Sequence, residues 1–203
     1  MTHISAIDDA PHKCGESHKF NLNQAEAAYA SFLDACGVDL QRDDLRDTPK
    51  RAAKAMREFL SPQPFEFTTF ENAKPNNYPV IVSGVRFNTL CEHHILPFFG
   101  TATVAYLPSD RIVGLSKLAR AVQFVARRLQ VQERMTSEVA DMLEDALKPK
   151  GVAVIIDAEH TCMSLRGVKS MGSLTRTAVL RGEFERSGEL RRELFDAARA
   201  KES

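Results

Sequence analysis

The chain has 203 residues, of which 43% are apolar and 27% are charged, and its formal net charge is zero. This is the composition of one domain, or of one domain with an appendage, and the neutral balance gives no general attraction to nucleic acid or membrane. No apolar run approaches the roughly 20 residues that span a bilayer, and the N-terminus, with Asp8 and Asp9, is not a secretory signal. Four widely spaced cysteines suit a reducing compartment, so we expect a cytoplasmic protein.

The first predicted elements are helices that follow a polar stretch. Residues 1–20 show no hydrophobic periodicity and are expected to be a disordered tail. Apolar residues at spacings of three and four predict a helix from Asn21 to Gly37. Asp47, Thr48 and Pro49 are typical of the start of a second helix. Residues 21–77 are therefore predicted to form an N-terminal helical extension.

Residues 78–203 are predicted to form the core domain. Strands are predicted over 79–87, with a possible bulge at Gly84, and over 100–107, 152–158 and 174–184. Two helices with regular apolar spacing, over 115–129 and 132–147, separate the second strand from the third, and another helix follows at 187–200. Strands in hairpin-like pairs with helices between them imply an antiparallel α+β domain.

Two short motifs indicate a metal site: residues 91–94, Cys-Glu-His-His, and residues 160–162, His-Thr-Cys. Cys91 and His94 can reach one ion from a single turn, and positions 160 and 162 share a face if their segment is extended. Two thiolates and one imidazole suit zinc, and three protein ligands leave a fourth position open for water, as in catalytic sites. The alternative is that Cys91 and Cys162 are buried apolar residues.

Polar residues at two helix starts form candidate binding groups. Ser116, Lys117 and Arg120 share a face at the start of a helix, which predicts a phosphate-binding group or a solvated basic face. Arg166 follows the second metal motif closely. Glu133 could accept both donors of a guanine edge, although a glutamate at a helix start is also favoured by the helix dipole.

Taken together, these segments resemble the GTP cyclohydrolase I family. The resemblance rests on four motifs in matching order and spacing: residues 91–94, residues 114–117 with Arg120, residues 131–134, and residues 160–162 with Arg166 and Gly167. It covers residues from about 45 to 185 and leaves out the tail before Asn21. Residues 171–176 depart from the run of small hydroxyl residues that the family often has there.

The resemblance implies a fold, a reaction and a set of roles. The fold is the tunnelling fold, a four-stranded antiparallel sheet with two helices on one face, assembled as a toroidal homodecamer with active sites between subunits. The reaction converts GTP and water to 7,8-dihydroneopterin triphosphate and formate by zinc-assisted opening of the purine imidazole ring, ribose rearrangement and ring closure, the first step of tetrahydrofolate biosynthesis. The implied roles are zinc binding by Cys91, His94 and Cys162, proton transfer by His93 and His160, guanine binding by Gln132 and Glu133, and triphosphate binding by Ser116, Lys117, Arg120 and Arg166.

Two other readings stay open from the sequence. One is a related tunnelling-fold enzyme that acts on another purine or pterin, and the other is a non-catalytic binding module stabilised by zinc. The motif of zinc nucleobase deaminases, His-x-Glu with Pro-Cys-x-x-Cys, does not occur in the chain.

Overall fold

The computed structural model describes residues 2–5, 20–73 and 78–200, with the backbone alone for 2–5. The chain divides into two compact units, Asp9–Ser61 and Met1–Asp8 with Pro62–Ser203. Most of the predicted tail, residues 1 and 6–19, lies outside the described residues. In the described part of the chain, no helix combines the length and apolar character needed to cross a membrane.

The smaller unit contains two helices, α1 (Leu22–Ala35) and α2 (Thr48–Phe59). The side chain of Asn21 caps α1 by accepting a hydrogen bond from the backbone N–H of Gln24 at 3.1 Å. Gly37 follows the helix with a φ of 77°, a conformation that ends helices and that glycine adopts without strain. Pro49 lies in the first turn of α2, where its missing N–H costs nothing. Both predicted helices are confirmed.

The main sheet has the strand order β6-β3-β4-β7-β8. Its four long strands are neighbours in antiparallel pairs, and their bounds are β3 (Val80–Cys91), β4 (Pro97–Leu107), β7 (Gly151–His160) and β8 (Thr175–Gly182). The two-residue strand β6 (Leu129–Gln130) runs parallel to the end of β3. The register of β3 shifts between Val82 and Val85, where Gly84 has a φ of 67°, so the predicted bulge is present.

A second, three-stranded sheet consists of β1 (Thr2–Ser5), β2 (Glu66–Glu71) and β5 (Arg111–Val113). These strands were not predicted from the sequence: residues 2–5 were expected in a disordered tail and residues 66–71 in the helical extension. Phe67 and Thr69 are buried on one face of β2, so the period-two pattern exists. It extends over six residues only, which is too short to identify a strand from periodicity alone.

Helices cover the two faces of the main sheet unequally. α3 (Leu115–Ala126) and α4 (Gln132–Leu147) pack on one face, where they bury Val154 and Ile156 of β7 in the main core. The alternate residues Ala153 and Ile155 point to the other face and pack against α6 (Glu183–Arg186) and α7 (Gly188–Arg199). The single turn α5 (Thr161–Ser164) follows β7. The chain is therefore an α+β protein, as the sequence predicts.

Candidate active site

The predicted metal ligands meet at one end of the main sheet. Cys91 is the last residue of β3, His94 lies in the turn to β4, and Cys162 lies in α5. Because Phe98 of β4 pairs with His160 of β7, the end of β7 lies beside the turn between β3 and β4. The Sγ atom of Cys91 is 3.9 Å from Nδ1 of His94, and the ligand atoms of all three residues lie within 4.8 Å of one another.

These three side chains fit a small tetrahedral ion. Bonds of about 2.3 Å to sulfur and about 2.0–2.1 Å to nitrogen place ligand atoms roughly 3.5–3.8 Å apart. The observed spacing is within about 1 Å of that geometry, a difference that small side-chain rotations remove. Two thiols with one imidazole form a donor set that prefers soft or borderline ions such as zinc to calcium or magnesium.

The electrostatics of the thiols also favour a cation. Burial raises the pKa of the Cys162 thiol above its ordinary value, the neighbouring Cys91 raises it further, and the positive charge of Arg166 acts in the opposite direction. The Cys162 thiol therefore resists ionisation, and a divalent cation bound beside it would reverse that preference. Arg166 accordingly lies in the neighbourhood of the ligand cluster.

His160 takes a different position from the one predicted. The chain after β7 is not extended, because Thr161 begins the turn α5 and its hydroxyl donates to the carbonyl oxygen of Pro97 at 2.5 Å. The expectation that residues 160 and 162 share the face of an extended segment is therefore wrong. The imidazole of His160 instead stacks on Phe98, with ring centroids 4.4 Å apart and planes 9° from parallel. His160 therefore lies next to the ligand cluster in the chain, but in a separate environment set by Phe98.

Gln132 is buried beneath His160, with 1% of its surface exposed. Its amide nitrogen donates to the carbonyl oxygens of Ile156 and Thr175, each at 2.9 Å. These acceptors fix the orientation of the amide, so its Oε1 faces Nε2 of His160 at 2.7 Å and accepts from it. Nε2 therefore carries a hydrogen, and in the neutral imidazole the lone pair is on Nδ1.

Glu133 and His93 complete the group at this end of the sheet. Burial lowers the pKa of His160 below its ordinary value, and the charge of Glu133 raises it in partial compensation. Glu133, the second residue of α4, is thus close enough to His160 to act on it. His93 is exposed in the ligand turn; its ring centroid is 6.4 Å from that of His94, and its Nε2 is 3.7 Å from Oε1 of Glu92.

Three of the four predicted phosphate-binding residues lie on α3, which begins towards the other end of the main sheet. The group at the start of α3 consists of Ser116, Lys117 and Arg120. It follows β5, where the N–H of Val113 donates to the hydroxyl of Tyr106 at 3.2 Å, and Tyr106 pairs with Val80 at the beginning of β3. Cys91 is at the other end of this 12-residue strand, so the two ends of β3 are roughly 35 Å apart at about 3.3 Å per residue. The structure therefore brings Arg166, Gln132 and Glu133 to the metal end of the sheet, but not the group on α3.

Sequence reasoning missed two residues of this region. Phe98 stacks on His160, a contact that depends on strand register and leaves no signal in the local sequence. Arg134 donates to the carboxylate of Glu92 in the ligand turn. Its place directly after Glu133 and its i,i+4 spacing from Glu138 were visible in the sequence, but neither pointed to the turn.

An α+β scaffold that brings two thiols and an imidazole together beside a half-buried, oriented histidine defines a candidate metalloenzyme. Comparisons with known proteins identify the family. The GTP cyclohydrolase I family model matches residues 25–199. The chain belongs to the GTP cyclohydrolase I family.

Three relatives illustrate the match. GTP cyclohydrolase 1 of Streptococcus pyogenes serotype M49 is 48% identical over an alignment of 179 residues that covers 86% of this chain and 92% of that protein. GTP cyclohydrolase 1 of Aquifex aeolicus is 49% identical over 81% of this chain and 89% of its own length. The bifunctional protein FolKE of Lactococcus lactis is 44% identical over 90% of this chain, but the match covers 54% of that longer protein.

Proposed function

We propose that this protein is a GTP cyclohydrolase that converts GTP and water to 7,8-dihydroneopterin triphosphate and formate. The observation that carries the proposal is the oriented His160–Gln132 pair beside the Cys91, His94 and Cys162 cluster, in a chain of the GTP cyclohydrolase I family. A purely structural metal site has no need of a half-buried histidine held in one tautomer next to its ligands.

Cys91, His94 and Cys162 are the residues that would hold zinc. When bound there, zinc would supply Lewis acidity for the hydrolytic step at C8 of the purine. Two thiolate ligands neutralise the formal charge of a divalent ion, so this site would acidify water less than one made of histidines. The reaction then depends on protein groups that move protons, and His93 and His160 are the candidates.

His160 supports proton transfer through its fixed ring. Gln132 binds Nε2–H, which leaves Nδ1 as the atom that takes up a proton from the reacting groups and returns it. Because burial lowers the pKa of His160, the ring is neutral near pH 7 and begins the cycle as a base. His93, exposed in the ligand turn, would be the second proton-transfer group.

Glu133 is the residue assigned to the guanine ring. It is exposed at the start of α4, and its carboxylate can accept from the ring N1–H and the exocyclic amine together. Gln132 was assigned to guanine with it, but its amide is buried and bonded to His160 and to backbone carbonyls. We assign its contribution to the orientation of His160 above it.

Glu133→Gln should weaken GTP binding by about 1–3 kcal/mol, because the new amide would present its NH₂ to a guanine donor where the carboxylate accepts. Zinc content should not change. Glu189→Gln is the matched control, since Glu189 is also an acidic residue in the first turn of a helix. Equal effects of the two changes on GTP affinity, measured by calorimetry, would show that Glu133 acts only through helix electrostatics.

The distance between the two ends of β3 supports an active site shared by subunits. Arg166 can reach a phosphate near the metal cluster of its own chain, whereas Lys117 and its neighbours on α3 would have to come from another copy. Exposed apolar residues beside the cluster support such assembly; they are Met163, Leu165, Val168, Met171 and Leu174. Together with the four antiparallel strands and the helices α3 and α4 on one face, they favour the tunnelling fold and the homodecamer that the family resemblance implies.

Complementation between two inactive variants tests the shared site. Lys117→Ala and Cys162→Ser, co-expressed in equal amounts, should form mixed oligomers in which about a quarter of the sites contain both wild-type residues. Activity should recover to about that fraction of wild type, and light scattering should find a large oligomer. Activity no greater than the sum of the separate variants, or a stable active monomer, would contradict the shared site.

Lys117→Ala and Arg166→Ala should weaken binding of GTP much more than binding of guanosine, since both cations are assigned to the triphosphate. The difference should shrink at high salt if the site is open to solvent. Arg199→Ala removes an exposed positive charge at the end of α7 and serves as the control. Equal losses for GTP and guanosine would make the two cations structural.

GTP turnover by the zinc-loaded protein tests the proposal as a whole. Equal amounts of formate and a fluorescent pterin should form from GTP, but not from ATP. Turnover of a different purine or pterin in preference to GTP would favour the related tunnelling-fold enzyme. Stoichiometric zinc without turnover of any nucleotide would favour the binding module.

A further inference from the structure

The turn that carries the metal ligands has an unfavourable backbone. Ile95 has a φ of 55°, a left-handed conformation that a β-branched side chain adopts only when its surroundings impose it. The N–H of Ile95 donates to the carbonyl oxygen of Cys91 at 2.8 Å, and the N–H of Cys91 donates to that of Leu96 at 2.9 Å. These bonds close the turn on itself. They do not set its position relative to the rest of the site.

Contacts with β6 and α4 set that position. The N–H of Glu92 donates to the carbonyl oxygen of Gln130 in β6 at 3.0 Å. The carboxylate of Glu92 accepts from Nη2 of Arg134, in the first turn of α4. The same guanidinium donates to the carbonyl oxygen of Leu129 at 3.2 Å and, through Nε, to Oε1 of Gln130 at 3.2 Å. One side chain therefore joins the ligand turn, β6 and α4.

We propose that Arg134 is a positioning residue that holds the ligand turn against the start of α4. It thereby sets the place of Cys91 and His94 relative to Glu133, the residue next to it in the chain. This inference rests on the proposed function only for the role of Glu133. The effect of Arg134 on the ligand turn follows from the contacts alone.

The planar fork of arginine is essential to this role. Arg134 uses separate nitrogens for Glu92 and for the side chain of Gln130, and it also lies 3.8 Å from Oε1 of Glu138. A lysine keeps the charge but has a single nitrogen at the end of a flexible stem, so it cannot hold these partners in the same geometry. Replacing a residue that supports metal ligands typically lowers metal affinity or activity by roughly 10–100-fold.

Zinc affinity, measured by competition with a chelator on the full chain, tests the proposal without reference to activity. Arg134→Lys and Glu92→Gln should each lower zinc affinity by roughly tenfold or more. The double variant should lose no more zinc affinity than the single variant with the larger loss, because both changes break the same linkage. With cobalt in place of zinc, the visible absorption spectrum of each variant should shift from that of wild type.

Arg181→Lys is the matched control. Arg181 also joins α4 through two carboxylates, those of Asp141 and Glu144, and its side chain is 30% exposed against 28% for Arg134. Its replacement should change thermal stability to a similar extent but leave zinc affinity unaltered. Wild-type zinc affinity in folded Arg134→Lys, or additive losses in the double variant, would overturn the proposal. Failure of wild type to turn over GTP would instead count against the proposed function and leave the zinc comparison valid.

Discussion

Cys162→Ser should remove the metal and the activity together. A serine hydroxyl does not ionise near pH 7 and is a poor ligand for zinc, so the cluster would keep only Cys91 and His94. We expect zinc affinity to fall by more than about 100-fold. Replacing a residue that only contacts the ligands already lowers metal affinity by roughly 10–100-fold, and Cys162 is itself a proposed ligand. Wild type should purify with about one zinc per chain, and mass spectrometry of the metal content compares the two directly.

Cys36→Ser is the control for this change. Cys36 is an exposed free cysteine that ends α1, so the substitution is chemically identical but distant in the chain from the ligand motifs. It should keep full zinc content and full GTP turnover. Stoichiometric zinc in Cys162→Ser, with Cys36→Ser as reference, would show that Cys162 is not a ligand.

His160→Ala should reduce GTP turnover by roughly 10²–10⁴, the usual effect of removing a general acid or base. Zinc content and GTP affinity should stay near wild type, because the cluster already has three protein ligands without His160. Single-turnover kinetics together with metal analysis separate these quantities.

The change to alanine also removes the stack on Phe98 and leaves Oε1 of Gln132 without its donor. His160→Gln separates the loss of proton transfer from the loss of this hydrogen bond. The new amide can still donate to Gln132, but it cannot exchange a proton near pH 7. Both variants should lose turnover to a similar degree. Near-normal turnover in His160→Gln would mean that the imidazole only packs, and loss of zinc from both variants would make His160 a fourth ligand.

The helices and strands of the main sheet could be predicted because each has its own pattern. In α3, Leu118, Val122 and Val125 recur at spacings of four and three and are buried in the structure. The short elements have no such pattern. β6 has two residues and α5 has four, about one period each, so no repeat can be detected in either. Both exist because of contacts with distant segments.

The candidate site could likewise be predicted only where a local pattern marks its residues. Cys91, His94 and Cys162 were predicted as a set because soft ligands at short spacing stand out in a sequence, and the structure brings them together. The position of His160 depended on whether α5 formed, and local sequence did not decide that. The separation of Lys117 from the metal cluster follows from the pairing of β3 with β4, which no motif records.

GTP labelled with carbon-13 at C8 provides the most direct test of the central claim, that this site opens the purine ring by hydrolysis. With zinc-loaded wild type, the label should leave the nucleotide as formate in an amount equal to the pterin formed, and Cys162→Ser and His160→Ala should release it far more slowly. Label that remains in an intact purine ring after incubation with the zinc-loaded protein, or that is retained in the product, would contradict the claim.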